Sequence, residues 1–435
     1  MPPVQSGVSA VSAELVPKLR GEHEIDVFVD EPVARVAADS CSAHDFVWRH
    51  HRRPYDLTVF QLGNSSHHDY LWPYLFRYPG LAVLHDVHLH HARAAALLRS
   101  HRPEAYRDEF TANHPDAPRD AAELAIRGFD SYLYYLWPFT RLVLAASRLS
   151  AVHSEVMASR LRPDVPDAAI DVIRLGHGSP VTPQREGRAR IEVRARYGLA
   201  PDTFLFGCFG GVTPDKRVPQ ILDAFAAVLP YARAAHLLIA GGAAGHYDVH
   251  ADIRRRQLDG QVTVTGYLAT DDELTDCIAA ADVTLNVRWP TAREISGPWL
   301  RCLAAGKPTI VVDLLQTADV ASLDPRTWTV NGAGTPLCVA IDILDEDHSL
   351  WLAMRRLAAD PDLRSSLGQA ARDHWLREHS PDGMFEDYRC AIARAAASPV
   401  PLVSLPDHLR DSGNALLRDL TAPFGPDVTE RIRAI

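Results

Sequence analysis

The chain lacks most of what would place it outside the ordinary soluble α/β class. Its six cysteines, Cys41, Cys208, Cys277, Cys302, Cys338 and Cys390, are scattered over 435 residues with no Cys-x-x-Cys spacing. That excludes a cysteine zinc site and reads as reduced thiols in a cytosolic setting. No signal-like segment opens the sequence, and no run approaches the roughly 18 apolar residues of a membrane-spanning helix. Positive charge is not in excess: 45 Lys and Arg stand against 55 Asp and Glu, a formal charge of -10, the wrong field for a nucleic-acid partner. One further absence concerns the fold. Doubly wound domains usually open on their central strand, yet Pro2-Pro-Val-Gln-Ser-Gly7 already reads as the loop after it, and helix-like Ala10 to Arg20 follows. The first strand is missing from this sequence, and a start site placed too late is the favoured explanation.

What is present is alternation. Apolar residues make up 47% and charged residues 23%, and the length fits two domains of roughly 200 residues. Strand-like runs alternate with helical ones: Glu24–Val29, Asp56–Gln61, Leu81–Leu84, Leu149–Val152 and Ile170–Ile173, then Thr203–Cys208, His236–Ala240, Gln261–Val264, Asp282–Leu285 and Thr309–Val312. This predicts two doubly wound Rossmann-like domains, 1–178 and 179–397, with a helical stretch from about 343 and an extension over 398–435. The boundary is expected between Gly176-His-Gly-Ser-Pro180 and Leu199-Ala-Pro-Asp202, where Pro, Gly and charge replace the strand pattern. A cleft at the carboxyl ends of the strands is the default ligand site.

The most informative stretch runs from Arg288 to Pro308, where Glu294-Ile-Ser-Gly297 opens a short helix that ends in Ala304-Ala-Gly306 before the buried run Thr309–Val312. A helix start offers unpaired amides and the positive dipole end, which suits a phosphate. Earlier, Gly210 and Gly211 follow a strand, where backbone can approach a ligand with no Cβ in the way. Lys216 and Arg217 at the next helix start can neutralise a diphosphate. Glu294 can accept two hydroxyl hydrogen bonds and so orient a sugar ring, with Ser296 and Gly297 beside it.

Four ordered blocks resemble the family 4 retaining glycosyltransferases of the GT-B fold. They are Phe209-Gly-Gly-Val-Thr-Pro-Asp-Lys-Arg217, Gly266-Tyr-Leu268, Asp272 to Asp282, and Glu294-Ile-Ser-Gly297. The resemblance implies transfer of a sugar from a nucleoside-diphosphate sugar, as co-substrate, to an acceptor hydroxyl, with no other cofactor and no metal. It makes Gly266, Tyr267 and Leu268 the base-contacting loop, and His85 a donor-sugar contact at a strand end. Asp86 and Gly7 fall on the acceptor side, and His153-Ser154 matches more loosely. The family's second glutamate, eight residues after the first, is Cys302 here, preceded by Arg301. Alignment backwards from Gly306-Lys-Pro308 puts Arg293 and Arg301 on the two glutamate positions, and a one-residue deletion in the helix reconciles the two. Glu294 with the deletion is preferred, which puts Arg301 near the ribose or phosphates. The family's usual arginine after the phosphate-loop glycine is Gly211.

The implied acceptor is a carbohydrate or lipid-linked glycan. Arg49-His-His-Arg-Arg53 and the helix from His88 to Arg102 could face anionic lipid, a peripheral contact that solvated helix faces explain equally well. His85-Asp-Val-His-Leu-His-His91 invites a metal reading, which the absence of a companion Asp or Cys ligand disfavours. His50-His51 and His67-His68 are expected at the surface or against an acceptor. The broken motif also motivates a reading of another class, a degenerate GT-B protein that binds nucleotide or glycan as partner of an active transferase. A GT-B epimerase or phosphorylase is a third reading, and the catalytic carboxylate set an epimerase wants in the first domain is not found.

Overall fold

A computed structural model describes residues 7–30, 40–118, 120–129, 133–245 and 247–410. Their contacts group into two compact units that interleave along the chain. One takes the described residues of 1–24, 153–157 and 173–388, the other those of 25–152, 158–172 and 389–435.

In the second of these, β1 (Val27–Val29) pairs with β2 (Ser40–Ser42) in parallel. The main sheet runs in the order β3 (Val59–Leu62), β4 (Leu81–Leu84), β5 (Leu149–Val152) and β6 (Ile170–Val172). All its neighbours are parallel. Strands β4 and β5 are buried at every position, which is why they read as unbroken apolar runs rather than as alternation.

The other unit carries β7 (Phe204–Phe209), β8 (Ala235–Ala240), β9 (Val262–Val264), β10 (Val283–Asn286), β11 (Thr309–Val312), β12 (Ser322–Leu323), β13 (Val330–Asn331) and β14 (Cys338–Ile341). They form an eight-stranded sheet in the order β13-β12-β14-β11-β10-β7-β8-β9. Only the β12–β13 pairing is antiparallel, so the loops after β7, β8, β9, β10 and β11 open on one edge of the sheet. The core on one face joins Phe206, Ile221, Phe225, Ile239, Ile310, Val339 and Leu350. Both units are thus parallel α/β sheets, as the alternation predicts.

Four strands were not anticipated. Ser40–Ser42 is short and polar, Ser322–Leu323 and Val330–Asn331 have two residues each, and Cys338–Ile341 follows a turn-rich stretch that masks it. The charged stretch expected at the domain boundary holds a helix, Pro183–Arg196, capped by the Thr182 hydroxyl, which accepts from the Arg185 amide at 3.2 Å. Its buried stripe is Ala189, Val193 and Arg194. The Arg194 guanidinium donates to Asp282 at 3.0 Å and to the carbonyls of Thr203 and Ala280.

The helical reading of 343 onward is matched by helices Glu346–Ala359, Pro361–Glu378 and Pro381–Ala397. Of the extension, residues 398–410 are described and His408 Nε2 lies 2.7 Å from the buried carboxylate of Glu109. The first described element is the helix Gly7–Leu19. The loop expected before it falls outside the described residues, apart from Gly7 itself.

Segment 173–178 is held in an unusual way. The carbonyls of Ile173, Leu175 and His177 lie 2.7, 3.0 and 2.9 Å from His153 Nδ1, His379 Nδ1 and Trp375 Nε1. The amides of Arg174 and Gly176 donate to Asp387 at 3.0 Å and Met384 Sδ at 3.3 Å. Side chains take the place of a neighbouring strand. A Cβ at Gly176 would sit 2.5 Å from the Ser380 carbonyl, so only glycine lets the segment lie this close. Among the described residues no helix is long and apolar enough to cross a membrane.

Candidate functional site

Strand β7 ends at Phe209, and Gly210 turns the chain with φ of 98°, a left-handed conformation that favours glycine. A Cβ at Gly210 would stand 2.7 Å from Lys216 Nζ and 3.0 Å from Pro298. A Cβ at Gly241, after β8, would stand 1.9 Å from the Gly210 carbonyl oxygen. Bare backbone therefore runs against bare backbone at the edge where β7 and β8 finish. Lys216 closes a short turn, Pro214–Lys216, and its ammonium donates to the Phe209 carbonyl at 3.1 Å. Burial pushes the Lys216 ammonium below its ordinary range, with Asp215 and Glu294 acting in the opposite direction, and an anion arriving there would favour the charged form. Gly211 is exposed, with open space where a Cβ would go.

Arg217 does not share that task. It occupies the left-handed region at φ 56° and begins the helix Val218–Val228. Its guanidinium donates to both carboxylate oxygens of buried Glu346, with Nε at 2.8 Å, and lies over the Trp289 ring.

Glu294 is 11% exposed. Its carboxylate takes an ion pair from Arg288 Nη1 at 2.5 Å and a hydrogen bond from the Thr291 hydroxyl at 2.7 Å, while Arg288 Nε lies 2.9 Å from Asp215. The arginine thus ties the glutamate to the turn that carries Lys216. Ser296 caps the helix Gly297–Ala304, its hydroxyl accepting from the Trp299 amide. Asn286, Arg288, Glu294, Ser296, Gln316 and Thr317 are among the residues lining a cavity of about 30 Å³ at the ends of β10 and β11, room for a hydroxyl or a water. Gly297 faces His177, whose ring a Cβ would meet at 3.3 Å. Arg301 is buried, and its Nε donates to His177 Nε2 at 2.9 Å and Nη2 to Asp271 at 3.0 Å.

Gly266, with φ of 71°, pairs as an isolated bridge with Gly241. Tyr267 is 59% exposed, and Leu268 packs against the core cluster that includes Ala279 and Cys302. The structure brings Gly210, Lys216, Glu294, Ser296 and Gly266 to one edge of one sheet. Gly241-Gly-Ala-Ala-Gly245 belongs with them and was missed, although two glycines directly after a buried strand are the same signal that marked Gly210.

In the four-stranded unit, His85 is buried at the end of β4, with Nε2 2.6 Å from Gln61 Oε1. Asp86 accepts from the Asn64 amide at 2.6 Å, and Asn64 Oδ1 accepts from the Ala92 amide at 2.9 Å, so Asp86 fixes the loop after β3. His68 is buried with Nδ1 2.9 Å from the Gln61 carbonyl, and burial takes its pKa down to about 4. His50 stacks on Phe46 and its Nδ1 accepts from the Tyr55 amide. His50 and His68 are packing and loop-fixing groups rather than the surface residues or acceptor contacts expected, whereas their neighbours His51 and His67 are exposed. His90 stacks 4.2 Å from Phe139 and falls to about 3. Among the described residues no three His, Cys, Asp or Glu side chains are placed to share a metal ion. Gly7 is exposed at the start of its helix and groups with the eight-stranded unit, not with His85 and Asp86.

Residues 203–337 match the family model described as Glycosyl transferases group 1. A search of curated proteins gives no match. Among solved structures, sucrose-phosphate synthase from Thermosynechococcus elongatus is similar, with a TM-score of 0.59 and 14% identity over 88% of this chain and 93% of that one. Anabaena HepE in complex with UDP-glucose gives 0.59 and 14% over 89% and 96%. WaaG, a glycosyltransferase involved in lipopolysaccharide biosynthesis, gives 0.55 and 14% over 89% and 95%. At such identities the structural likeness speaks for the fold, and the match over β7 to Leu337 speaks for the chemistry. The chain has the GT-B fold of these structures, and its residues 203–337 match the group 1 glycosyl transferase family.

Proposed function

We propose that the protein moves a sugar from a nucleoside-diphosphate sugar to an acceptor hydroxyl with retention of configuration. The observation that carries this is the convergence of Gly210, Gly241, Gly266, Lys216 and Glu294 at the carboxyl edge of the eight-stranded sheet. In this reading Lys216 and loop amides take the charge of the departing diphosphate, and Glu294 accepts hydroxyl hydrogen bonds from the sugar. The bond from the anomeric carbon to the diphosphate oxygen breaks as the acceptor oxygen attacks from the same face. The acceptor proton passes to the leaving phosphate, so no protein nucleophile is needed. The 179–397 region serves the donor and the 1–178 region the acceptor, with Asp86 on the acceptor side and His85 reaching the donor sugar.

The structure of HepE holds UDP-glucose, and a uridine nucleotide is the first donor to try. Calorimetric titration with UDP, GDP, ADP and dTDP should give micromolar binding of one of them. Glu294→Gln should then lower turnover at least about 100-fold with nucleotide affinity within about threefold. Equal loss of both would sink the positioning role.

One observation favours the second reading, a nucleotide- or glycan-binding partner of another transferase. Arg217 and Arg301, two of the three cations assigned to the donor, are held in internal pairs. Nucleotide binding without turnover on any sugar donor would select it.

The finer setting belongs to the same proposal: a cytoplasmic enzyme of glycan or polysaccharide assembly, with a carbohydrate or lipid-linked acceptor and peripheral membrane contact. The helix Phe46–Arg52 supports that contact, with Trp48 60% exposed and Arg52 over its ring at 4.6 Å. The second candidate surface does less, because Arg93 in helix His90–Arg99 is buried against Glu109 rather than facing outward.

A further inference from the structure

Arg301 was expected at the ribose or phosphates, yet its guanidinium points at protein on two sides. Nε donates to His177 Nε2 at 2.9 Å and Nη2 to Asp271 at 3.0 Å, and the side chain is 9% exposed. These partners come from three places in the chain. Asp271 starts the helix Asp271–Ala280, three residues after the Gly266–Leu268 loop. Arg301 sits on the helix that Ser296 opens. His177 belongs to segment 173–178, with its carbonyl held by Trp375. The backbones are pressed together where these side chains meet. A Cβ at Gly178 would lie 3.1 Å from Arg301 Cα, and one at Gly297 would lie 3.3 Å from the His177 ring.

We infer that Arg301 is a positioning residue that locks the Gly266–Leu268 loop and the Glu294–Gly297 loop in one register, with His177 and Asp271 as its anchors. This rests on the donor-site reading above and replaces direct contact of Arg301 with nucleotide. The brace has a chemical signature. An arginine Nε–H needs a lone pair on His177 Nε2, so the ring must be neutral with its proton on Nδ1. That nitrogen is buried without a hydrogen-bond partner, 3.7 Å from the Glu14 carboxylate. His177→Gln keeps an acceptor oxygen, and His177→Phe keeps the ring without the acceptor.

The test uses the full chain and reads hydrogen exchange with nucleotide affinity for Arg301→Gln, Asp271→Asn, His177→Phe and His177→Gln. Expected for Arg301→Gln and His177→Phe are faster exchange over both 266–270 and 294–299 and an affinity lower by about tenfold, the loss of one charge-assisted hydrogen bond. Asp271→Asn should show a smaller effect of the same kind. The double variant of Arg301→Gln and His177→Phe should be no worse than either single one. His177→Gln, which keeps an acceptor for the arginine, should keep affinity. The inference is overturned if Arg301→Gln alone weakens nucleotide while Asp271→Asn and His177→Phe leave it unchanged or tighter, since the arginine is then a direct ligand. It is also overturned if neither loop changes its exchange. Exchange needs no ligand, so a wild type that binds none of the four nucleotides would sink the donor-site reading while the brace is still decided.

Discussion

The two main sheets of this protein present different materials at the carboxyl ends of their strands. The eight-stranded sheet presents backbone: Gly241 bridges to Gly266 and lies against Gly210, and arginines nearby are turned into pairs such as Arg217 with Glu346. The four-stranded sheet presents side chains in relay, with Gln61 at His85 and Asp86 at the Asn64 loop. A surface of amides and carbonyls holds a ligand by shape and fails when a Cβ is added. A relay of side chains is built to accommodate backbone variation and fails when one group is deleted.

That difference can be broken or sharpened by experiment. The largest effect is expected for Lys216→Met, the one donor-edge cation assigned to the diphosphate, with kcat lower by about 10³-fold and the melting temperature little changed. A loss below tenfold would mean that the backbone alone carries the anion. Acidification comes next. Burial lowers His153 and His379 to about 4 in the folded eight-stranded unit, whereas unfolded histidine titrates near 6.5. Between those values the unfolded chain binds more protons, so their contribution is complete above about pH 6.5 and is lost as the pH falls to about 4. The loss is up to about 3 kcal/mol for each histidine, read by urea unfolding at pH 7 and pH 4.5. His379→Asn should flatten part of that slope, and an unchanged slope would place the titrating groups elsewhere.

Gly241→Ala should cost about 2 to 3 kcal/mol and weaken nucleotide binding, because its Cβ would meet the Gly210 carbonyl at 1.9 Å. Gly245→Ala, with open space around it, should change neither by a measurable amount. Equal effects would remove the backbone-contact explanation. The smallest effect is expected for Asp86→Ala, which removes an acceptor from the Asn64 amide. A stability loss of about 1 to 2 kcal/mol with acceptor KM raised and donor KM unchanged would assign the relay to the acceptor side. A donor KM that rises instead would reverse the assignment.

How much of this was legible in the sequence follows from where its partners lie. Strands Leu81–Leu84, Leu149–Val152 and Thr309–Val312 were read to the residue because both their faces are buried and every position is apolar or small. The helix Pro183–Arg196 was hidden under its own charge, though Thr182-Pro183 is a helix-start signal. Lys216 and Glu294 were legible because their chemistry sits beside local glycine turns. The fates of Arg217 and Arg301 were not, because Glu346 and His177 lie 129 and 124 residues away in the chain, and no local pattern announces a side-chain pairing at that distance.

The side-chain fastening of segment 173–178 bears on how this protein can be cut into pieces. A gene truncated after residue 178 would retain the carbonyls of Leu175 and His177 but lose the ring N–H donors of His379 and Trp375, and with them Asp387 and Met384. A fragment beginning at residue 179 would bury those same donors with nothing to receive them. Each orphaned group costs on the order of 1 to 3 kcal/mol, enough together to exhaust the stability of an ordinary domain. Split versions, domain exchanges and fragment screens therefore need their junction upstream of Ile173, so that the segment travels with the helices that grip it.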